Sequence, residues 1–487
     1  TSEQYACRDL VDRAIGYGMK GYKIDGNNIL DVYSTISLLA ERMREAPEPV
    51  LIECMTFRMR GHEEASGTKY VPKELFDTWG NKDPLMNYEN YLLKEKVLSQ
   101  ERITELRASY SKEINAALEA VLSEGPPVPD TAKEVNDVYA PHIPAAEKAE
   151  GIENTHDFLI YPKAGAKTKK RLVDAISDGL RQSMQRYENL VLMGQDIAEY
   201  GGVFKVTEGF VEEFGRERVR NTTLCESAIV GIGLGLSVKG YKAMVEMQFA
   251  DFVTCGFNQI INNLAKIHWR WGQNADVVVR MPTGAGVGAG PFHSQSNEAW
   301  FFHTPGLKVV YPSNPTDAKG LLNASIEDPN PVLFFEHKAL YRSVNEEVYD
   351  DYFTIEIGKA RTVKEGNDLS IITYGAGVYW ALEALEKHGN ISAEIIDLRT
   401  LLPWDKAHVL ASIKKTGKAL VLHEDSLTGG IGAEIAAWIT EHAFRHLDGP
   451  VMRVGGLDTP IPFAPELERN YLPKERFAEK LLELADY

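Results

Sequence analysis

An α/β fold with mostly parallel sheets flanked by helices is the class this chain predicts, and three observations carry that expectation. Strand-like apolar runs alternate with helical periodicity from about Lys170 onward, the pattern of sheets whose strands are joined by crossover helices. The stretch Gly256–Trp269 places Phe257, Ile260, Ile261, Leu264 and Ile267 on one helical face, the spacing of a helix packed on a sheet. At 487 residues with 44% hydrophobic and 25% charged content, the chain exceeds one ordinary core, so two or three domains are expected.

Taken in order, the first segment shows a strand over Pro49–Met55 and a long charged helix over Tyr91–Val121, the back half of an α/β domain. Gly125–Lys170, rich in Pro, Ala, Lys and Glu, reads as a linker. The next unit runs through helix Arg171–Tyr187, strand Leu190–Met193, helix Gly256–Trp269 and strands Asp276–Met281, Leu307–Pro312 and Pro331–Glu336. Charged Glu346–Asp351 marks a boundary. A second α/β unit then begins near Ile355, with strands Leu369–Thr373, Ala393–Asp397 and Ala419–His423. Domains are expected at 1–138, 170–354 and 355–487, with 139–169 between the first two.

Charge and cysteine use narrow the function classes. Lys and Arg number 53 against 70 Asp and Glu, giving −17, and such a surface repels nucleic acid and anionic membrane. No apolar run approaches the roughly 18 residues of a membrane span, and Thr1–Asp12 lacks the apolar stretch of a secretory leader, so a soluble cytoplasmic protein is expected. Cys7, Cys54, Cys225 and Cys255 have no C-x-x-C spacing, which predicts reduced core thiols rather than disulfides or a zinc site.

Several short motifs invite chemistry. Gly284-Ala-Gly-Val-Gly-Ala289 satisfies G-x-G-x-x-A after a strand, but Pro291 and His293-Ser-Gln follow where a helix should open, so dinucleotide binding is rejected. Asp25-Gly-Asn-Asn28 has metal-ligand residue types, yet Asp, Gly and Asn supply turn geometry by themselves. Glu226, between Leu224 and Ile229-Val230, is costly to bury unless a protonated group meets it; the alternative is a carboxylate beside a helix N-terminus. His293 lies in a loop beyond the carboxyl end of a parallel strand, where open α/β sheets keep ligands, although a loop histidine is often structural. His62, after Arg58-Met-Arg60, sits in a cationic loop suited to phosphate or carboxylate, or simply solvated and balanced by Glu63 and Glu64.

In order along the chain, these segments resemble the branched-chain and pyruvate-type decarboxylating components of the 2-oxo acid dehydrogenase complexes, the end of an α subunit running into a β subunit. The β-like part, about 168–487, carries Met193-Gly-Gln-Asp-Ile197, Tyr200-Gly-Gly-Val-Phe204, Leu224-Cys-Glu226, Gln248-Phe-Ala-Asp251, His293-Ser-Gln295, Pro305-Gly-Leu-Lys-Val-Val310, Asp397-Leu-Arg-Thr400, Pro403-Trp-Asp405, Leu427-Thr-Gly-Gly430 and Asp458-Thr-Pro460. The α-like part, 1 to about 138, carries Ile24-Asp-Gly26, Thr56-Phe-Arg58 and Gly61-His62.

The resemblance implies a thiamin-diphosphate-binding fold with a transketolase-like C-terminal domain, and thiamin diphosphate with magnesium as cofactors. Glu226 matches the glutamate that hydrogen-bonds the aminopyrimidine; Leu224, Gln248 and Phe252 hold or flank that ring, Phe252 standing where many relatives have tyrosine. His293 and His62 match the histidines around the reacting carbon, and Arg58 an arginine near the diphosphate or channel loop. Asp328 and Asn330, in Ile326-Glu-Asp-Pro-Asn-Pro331, match a monovalent-cation site of branched-chain relatives, for which potassium is the expected ion; a turn before a strand is the ordinary reading. The magnesium motif is expected upstream of Thr1, so no ligand for that metal is assigned in this chain. Glu63 replaces a regulated serine, and Gln195 stands where a glutamate is common, so a carboxylate route between active sites is not expected.

The implied reaction is oxidative decarboxylation of a 2-oxo acid, 3-methyl-2-oxobutanoate favoured over pyruvate, with reductive acylation of a lipoyl-bearing dihydrolipoyl acyltransferase. The implied assembly is a homodimer equivalent to two α and two β parts, with the last domain docking the acyltransferase. The rivals are a cofactor-free scaffold and a transketolase-like or acetoin-cleaving enzyme.

Overall fold

A computed structural model describes residues 4–63, 65–142, 159–160 and 165–487. It divides into two compact units, Thr1–Val128 and Pro129–Tyr487.

In the first unit, strands β1 (Lys20–Asp25) and β2 (Val50–Met55) pair in parallel around helix α1 (Ile29–Glu45). Asn28 starts α1 by accepting the Leu30 N–H at 3.1 Å, and Asp25 accepts from Asn27 N at 3.0 Å, so Asp25-Gly-Asn-Asn28 is a turn and helix cap. The expected single helix over Tyr91–Val121 is two: α2 (Pro84–Lys94) and α3 (Gln100–Ser123). Lys96 adopts φ +57 and Ser99 caps α3 through Arg102 N at 3.2 Å, so the chain stops and restarts within five residues.

Part of the expected linker is structured. A short helix covers Thr131–Asn136, and strands β3 (Leu159–Ile160) and β4 (Lys167–Arg171) follow. The charged run expected as a boundary is largely strand β11 (Asn345–Tyr349), paired antiparallel with β4. Complementary charge favours the pairing of β4 with β11, because Glu346 faces Lys170 and Glu347 faces Lys169 across the ladder.

The second unit is built on a seven-stranded sheet in the order β16-β9-β10-β8-β7-β5-β6. Its strands are β5 (Leu190–Gly194), β6 (Val219–Asn221), β7 (Lys242–Glu246), β8 (Val277–Thr283), β9 (Lys308–Val310), β10 (Val332–His337) and β16 (Thr400–Leu402). All pairings are parallel except that of β16 with β9. Successive residues feed opposite cores: Val277 and Val279 join one apolar cluster, Val278 and Met244 the other. Helices α4 (Leu172–Arg186) and α6 (Pro315–Glu327) cross closely on one face, where a side chain on Gly179 would lie 3.1 Å from Asn323. Helix α5 (Glu226–Val238) lies on the other core.

The expected helix Gly256–Trp269 is also broken. A 3₁₀ turn spans Ala250–Gly256, a π-type turn Gln259–Leu264 and a short α-helix Ile267–Trp271, although Ile260 and Leu264 are buried as the periodicity requires.

A five-stranded sheet ordered β13-β15-β14-β17-β18 completes the unit. It comprises β13 (Arg361–Lys364), β14 (Leu369–Thr373), β15 (Ala393–Asp397), β17 (Ala419–Ser426) and β18 (Met452–Gly456). The four cysteines are free, and Cys54, Cys225 and Cys255 are exposed with Cys7 half-buried, so they are not the core thiols expected. Among the described residues no helix is long and apolar enough to cross a membrane.

Candidate active site

The carboxyl ends of β5, β7 and β8 carry the candidate residues, as expected for an open α/β sheet. Gln195 leaves β5 and donates through Nε2 to Glu226 Oε1 at 3.0 Å. Glu226 opens α5, where the helix N-terminus favours its negative charge. The expected apolar burial is only partly present. Glu226 is half-buried and Leu224 is 82% exposed, because Ile229 and Val230 turn inward on the helix while Leu224 precedes it.

A 3₁₀ turn links this carboxylate to the histidine. Gly256 closes the turn against the Glu226 backbone, where a Cβ would lie 3.4 Å from the carbonyl oxygen. The same turn presents Phe252 to His293, with ring centroids 5.4 Å apart, and Phe249 flanks the imidazole edge-to-face at 4.8 Å. Asp251 fixes the loop beyond the histidine by accepting from Gln295 N at 3.2 Å and Nε2 at 2.9 Å. Gln248 is half-buried two residues beyond β7. Glu226, Phe252 and His293 therefore share one neighbourhood.

His62 and Arg58 belong to the first unit, both exposed in the loop after β2. That loop is anchored by Thr56 Oγ1 donating to Asn27 Oδ1 at 2.7 Å and by Phe57 stacked on Trp79 at 5.9 Å. A cavity of about 330 Å³ adjoins the Asn27 turn, lined by Asp25, Asn28, Lys82, Asn87 and Tyr91 among others.

Asp328 and Asn330 are committed to the protein's own groups. Asp328 pairs with Lys308 and accepts from Asn330 N at 2.9 Å and Nδ2 at 2.8 Å. The Asn330 amide also clasps Ala140, accepting from its N–H at 2.7 Å and donating to its carbonyl at 3.0 Å. A lysine ammonium thus sits where a monovalent cation was expected. Among the described residues no group of three His, Cys, Asp or Glu is arranged to hold a metal ion.

Sequence reasoning missed the ionisable groups beneath the site. Arg280, 1% exposed on β8, is ion-paired with Glu246 on β7 and Glu336 on β10. Burial pushes the Glu246 carboxyl up, against the pull of Arg280. Glu424 on β17 meets His337 Nε2 at 2.6 Å; burial would raise its pKa, but the imidazole contact leaves it below the usual value. Lys338 donates to the Gly284 carbonyl at 2.8 Å, and burial pushes its ammonium down to about 8 against the attraction of Asp251, Glu424 and Glu468. Burial raises Asp425 to about 7, despite hydrogen bonds from Ser426 and Ala299. The only local signal for these residues was a charged group ending an apolar strand, as in Glu336-His-Lys338 and His423-Glu-Asp425.

Whether these residues suit a heterocyclic cofactor is testable on the side chains themselves. Gln195 is 5% exposed, and its Oε1 has no hydrogen-bond partner among the described residues; Asp251 Oδ2 is likewise buried without one. Buried acceptors normally find donors. A carboxylate, a free amide oxygen and exposed apolar Leu224 fit an amine-bearing ring.

The fold and site together define a transketolase-like thiamin-diphosphate protein. Residues 169–344 match the transketolase pyrimidine-binding domain, 358–476 the transketolase C-terminal domain, and 1–130 the dehydrogenase E1 component. A solved split-gene transketolase, described as an inactive β4 tetramer, shares the fold with TM-score 0.55 and 23% identity, over 65% of this chain and 99% of that one. The 2-oxoisovalerate dehydrogenase β subunit of Bacillus subtilis is 45% identical over 65% of this chain and 98% of its own. Its mitochondrial counterpart in Dictyostelium discoideum is 46% identical over 65% and 86%. The pyruvate dehydrogenase E1 β subunit of Staphylococcus aureus is 43% identical over 65% and 98%. The chain belongs to the E1 components of the 2-oxo acid dehydrogenases, with α-like and β-like parts in one polypeptide.

Proposed function

We propose that this chain oxidatively decarboxylates a branched-chain 2-oxo acid, 3-methyl-2-oxobutanoate favoured, and passes the acyl group to the lipoyl arm of a dihydrolipoyl acyltransferase. The observation that carries the reading is Glu226, braced by Gln195 at the carboxyl end of the sheet and packed at its backbone on the 250–256 turn whose Phe252 meets His293. Thiamin diphosphate, when bound, would supply the carbanion-forming carbon acid that decarboxylation of a 2-oxo acid needs. Glu226 would hold the aminopyrimidine by accepting a hydrogen bond at a ring nitrogen, with Leu224, Gln248 and Phe252 flanking it. Phe249 and Phe252 pack against the His293 ring in T-shaped contacts, and the imidazole would orient the substrate carboxylate and move a proton during acyl transfer. His62 and Arg58 are assigned the corresponding work on the α-like side, at the channel and the diphosphate.

The branched-chain preference draws support from the 44–46% identity of 2-oxoisovalerate relatives, against 43–44% for pyruvate ones. That narrow margin keeps pyruvate as the second reading. A homodimer is proposed from the groove of about 670 Å³ beside Glu226, where Ala228, Gly231, Ile232 and Gly235 leave α5 apolar and open. Magnesium is proposed to accompany the diphosphate. Potassium at Asp328 and Asn330 would require Lys308 to give way. The proposed compartment is the cytoplasm.

Glu226→Gln tests the reading. In a dye-reduction assay with 2-oxo acid and cofactor, turnover should fall by about 10²-fold or more, the scale of a lost proton-transfer partner, while the melting temperature stays unchanged. Wild-type turnover in that variant would remove Glu226 from the reaction.

A further inference from the structure

The glycine run that mimics a dinucleotide fingerprint binds an anion that the protein itself provides. Gly284, Gly286, Gly288 and Gly290 all have positive φ, at +90, +85, +68 and +69, so main-chain N–H groups converge into a concave nest. Gly286 N donates to Glu468 Oε1 at 2.9 Å, and Gly288 N donates to both carboxylate oxygens at 3.2 Å. Ala285 N donates to Glu424 Oε1 at 2.6 Å, and that oxygen also accepts from Ser296 Oγ at 3.1 Å. Glu468 and Glu424 are 6% and 5% exposed, and both belong to the last α/β domain, whereas the loop belongs to the seven-stranded sheet. Phe463 of that last domain lies against Gly290, where a Cβ would come within 2.4 Å of its ring.

His293 follows the nest directly. Its N–H donates to the Gly290 carbonyl at 3.4 Å, so the loop that ends in the imidazole is held at its start and middle by carboxylates from another domain. We propose that Glu468 is a positioning residue for His293: through the main-chain donors of Gly286 and Gly288 it fixes the loop that delivers the imidazole between Phe249 and Phe252. Charge-assisted hydrogen bonds are roughly twice as strong as neutral ones, so an amide in the same place holds the nest less firmly. The inference rests on the role given to His293 under the proposed function.

Glu468→Gln keeps the shape and removes the charge. Gly288→Ala disturbs the same nest from the loop side, since the methyl meets nothing within 4 Å but the backbone is held at φ +68. In both variants, hydrogen exchange across 283–296 should accelerate about tenfold or more while strands β5 and β7 keep their protection. Carbethoxylation of His293 by diethyl pyrocarbonate, followed by mass spectrometry, should change about threefold or more. Reductive acylation of free lipoamide should fall about tenfold, with dye-coupled decarboxylation falling much less, a split that general loss of stability does not produce. Exchange, carbethoxylation and acylation all within about twofold of wild type in both folded variants would overturn the positioning role. Altered exchange and His293 reactivity in a protein whose wild type turns over no 2-oxo acid would support the positioning link and sink the functional reading instead.

Discussion

Replacing Arg280 with Met tests what holds the central sheet. The guanidinium is enclosed between Glu246 on β7 and Glu336 on β10, with Tyr341 donating to Glu336. All three charged side chains are at most 4% exposed. Burial alone would weaken the arginine's hold on its proton, yet the two carboxylates raise its pKa well above the usual value. Met keeps the unbranched apolar stem without the charge, leaving two carboxylates buried with no cation between them. Breaking a buried pair from one side costs about 3–5 kcal/mol, which corresponds to a drop of roughly 4–7 °C in melting temperature for a unit of this size. The deficit should depend on pH in a defined direction. Burial already holds the Glu246 carboxyl above its usual value and Arg280 opposes that rise, so in the variant the stability tied to Glu246 is present at low pH and lost as pH rises through its folded value. Thermal scans at pH 5 and pH 8 should therefore show a smaller deficit at pH 5, and Glu246→Gln with Glu336→Gln in the same chain should recover much of it. A loss below about 1 kcal/mol at pH 8, or a deficit that grows on acidification, would refute this reasoning.

Two further outcomes follow from the same unit. Asp425, raised to about 7 by burial, makes the wild type less stable as pH climbs from the ordinary carboxyl range to neutrality. Asp425→Asn keeps an acceptor for Ser426 N and should flatten that dependence, gaining on the order of 1–3 kcal/mol at pH 8 and little at pH 4 by thermal scanning; a parallel pH curve would contradict it. Asn330→Ala strips both partners from the Ala140 backbone, costing about 2–4 kcal/mol, and should open a protease site near residues 139–142; unchanged cleavage would show that the clasp is idle.

Burial on both faces made some elements readable from sequence to the residue. β14 and β15 occupy the expected Leu369–Thr373 and Ala393–Asp397, because a strand covered on both sides is a continuous apolar run with sharp polar ends. Periodicity carried less where the helix type changes. The face of Ile260 and Leu264 was visible, but 3₁₀ and π turns preserve a buried stripe while altering the hydrogen bonding. The restart at Ser99 was written locally, yet Leu92, Leu93 and Leu98 continue the helical spacing across it and masked the break.

The site divides in the same way. Glu226 and His293 stood inside motifs and could be named from sequence. Glu424 and Glu468, which seat the glycine loop, lie 139 and 182 residues beyond the donors they meet, so no local pattern announces them. The glycine run was read from sequence only as a dinucleotide fingerprint and rejected as one, so its carboxylate-seating role required the folded chain. Asp328 and Asn330 could be read as ligand types, but their engagement by Lys308 and Ala140 depends on contacts as far as 190 residues away.

Strand β16 lies in sequence between β15 and β17 of the five-stranded sheet, yet it is hydrogen-bonded to β9 at the margin of the seven-stranded one. Just before it, Arg399 reaches Asp317 of α6 at 3.1 Å, with both side chains sealed from water. Severing the chain near residue 355 would therefore not yield two self-sufficient halves: the first would have a bare sheet margin prone to self-association, and the second a stray ribbon. Chimeras built by exchanging the last domain between relatives need a graft that keeps β9 matched to residues 397–403, and a calorimetric trace of the intact unit should show both sheets melting in a single step.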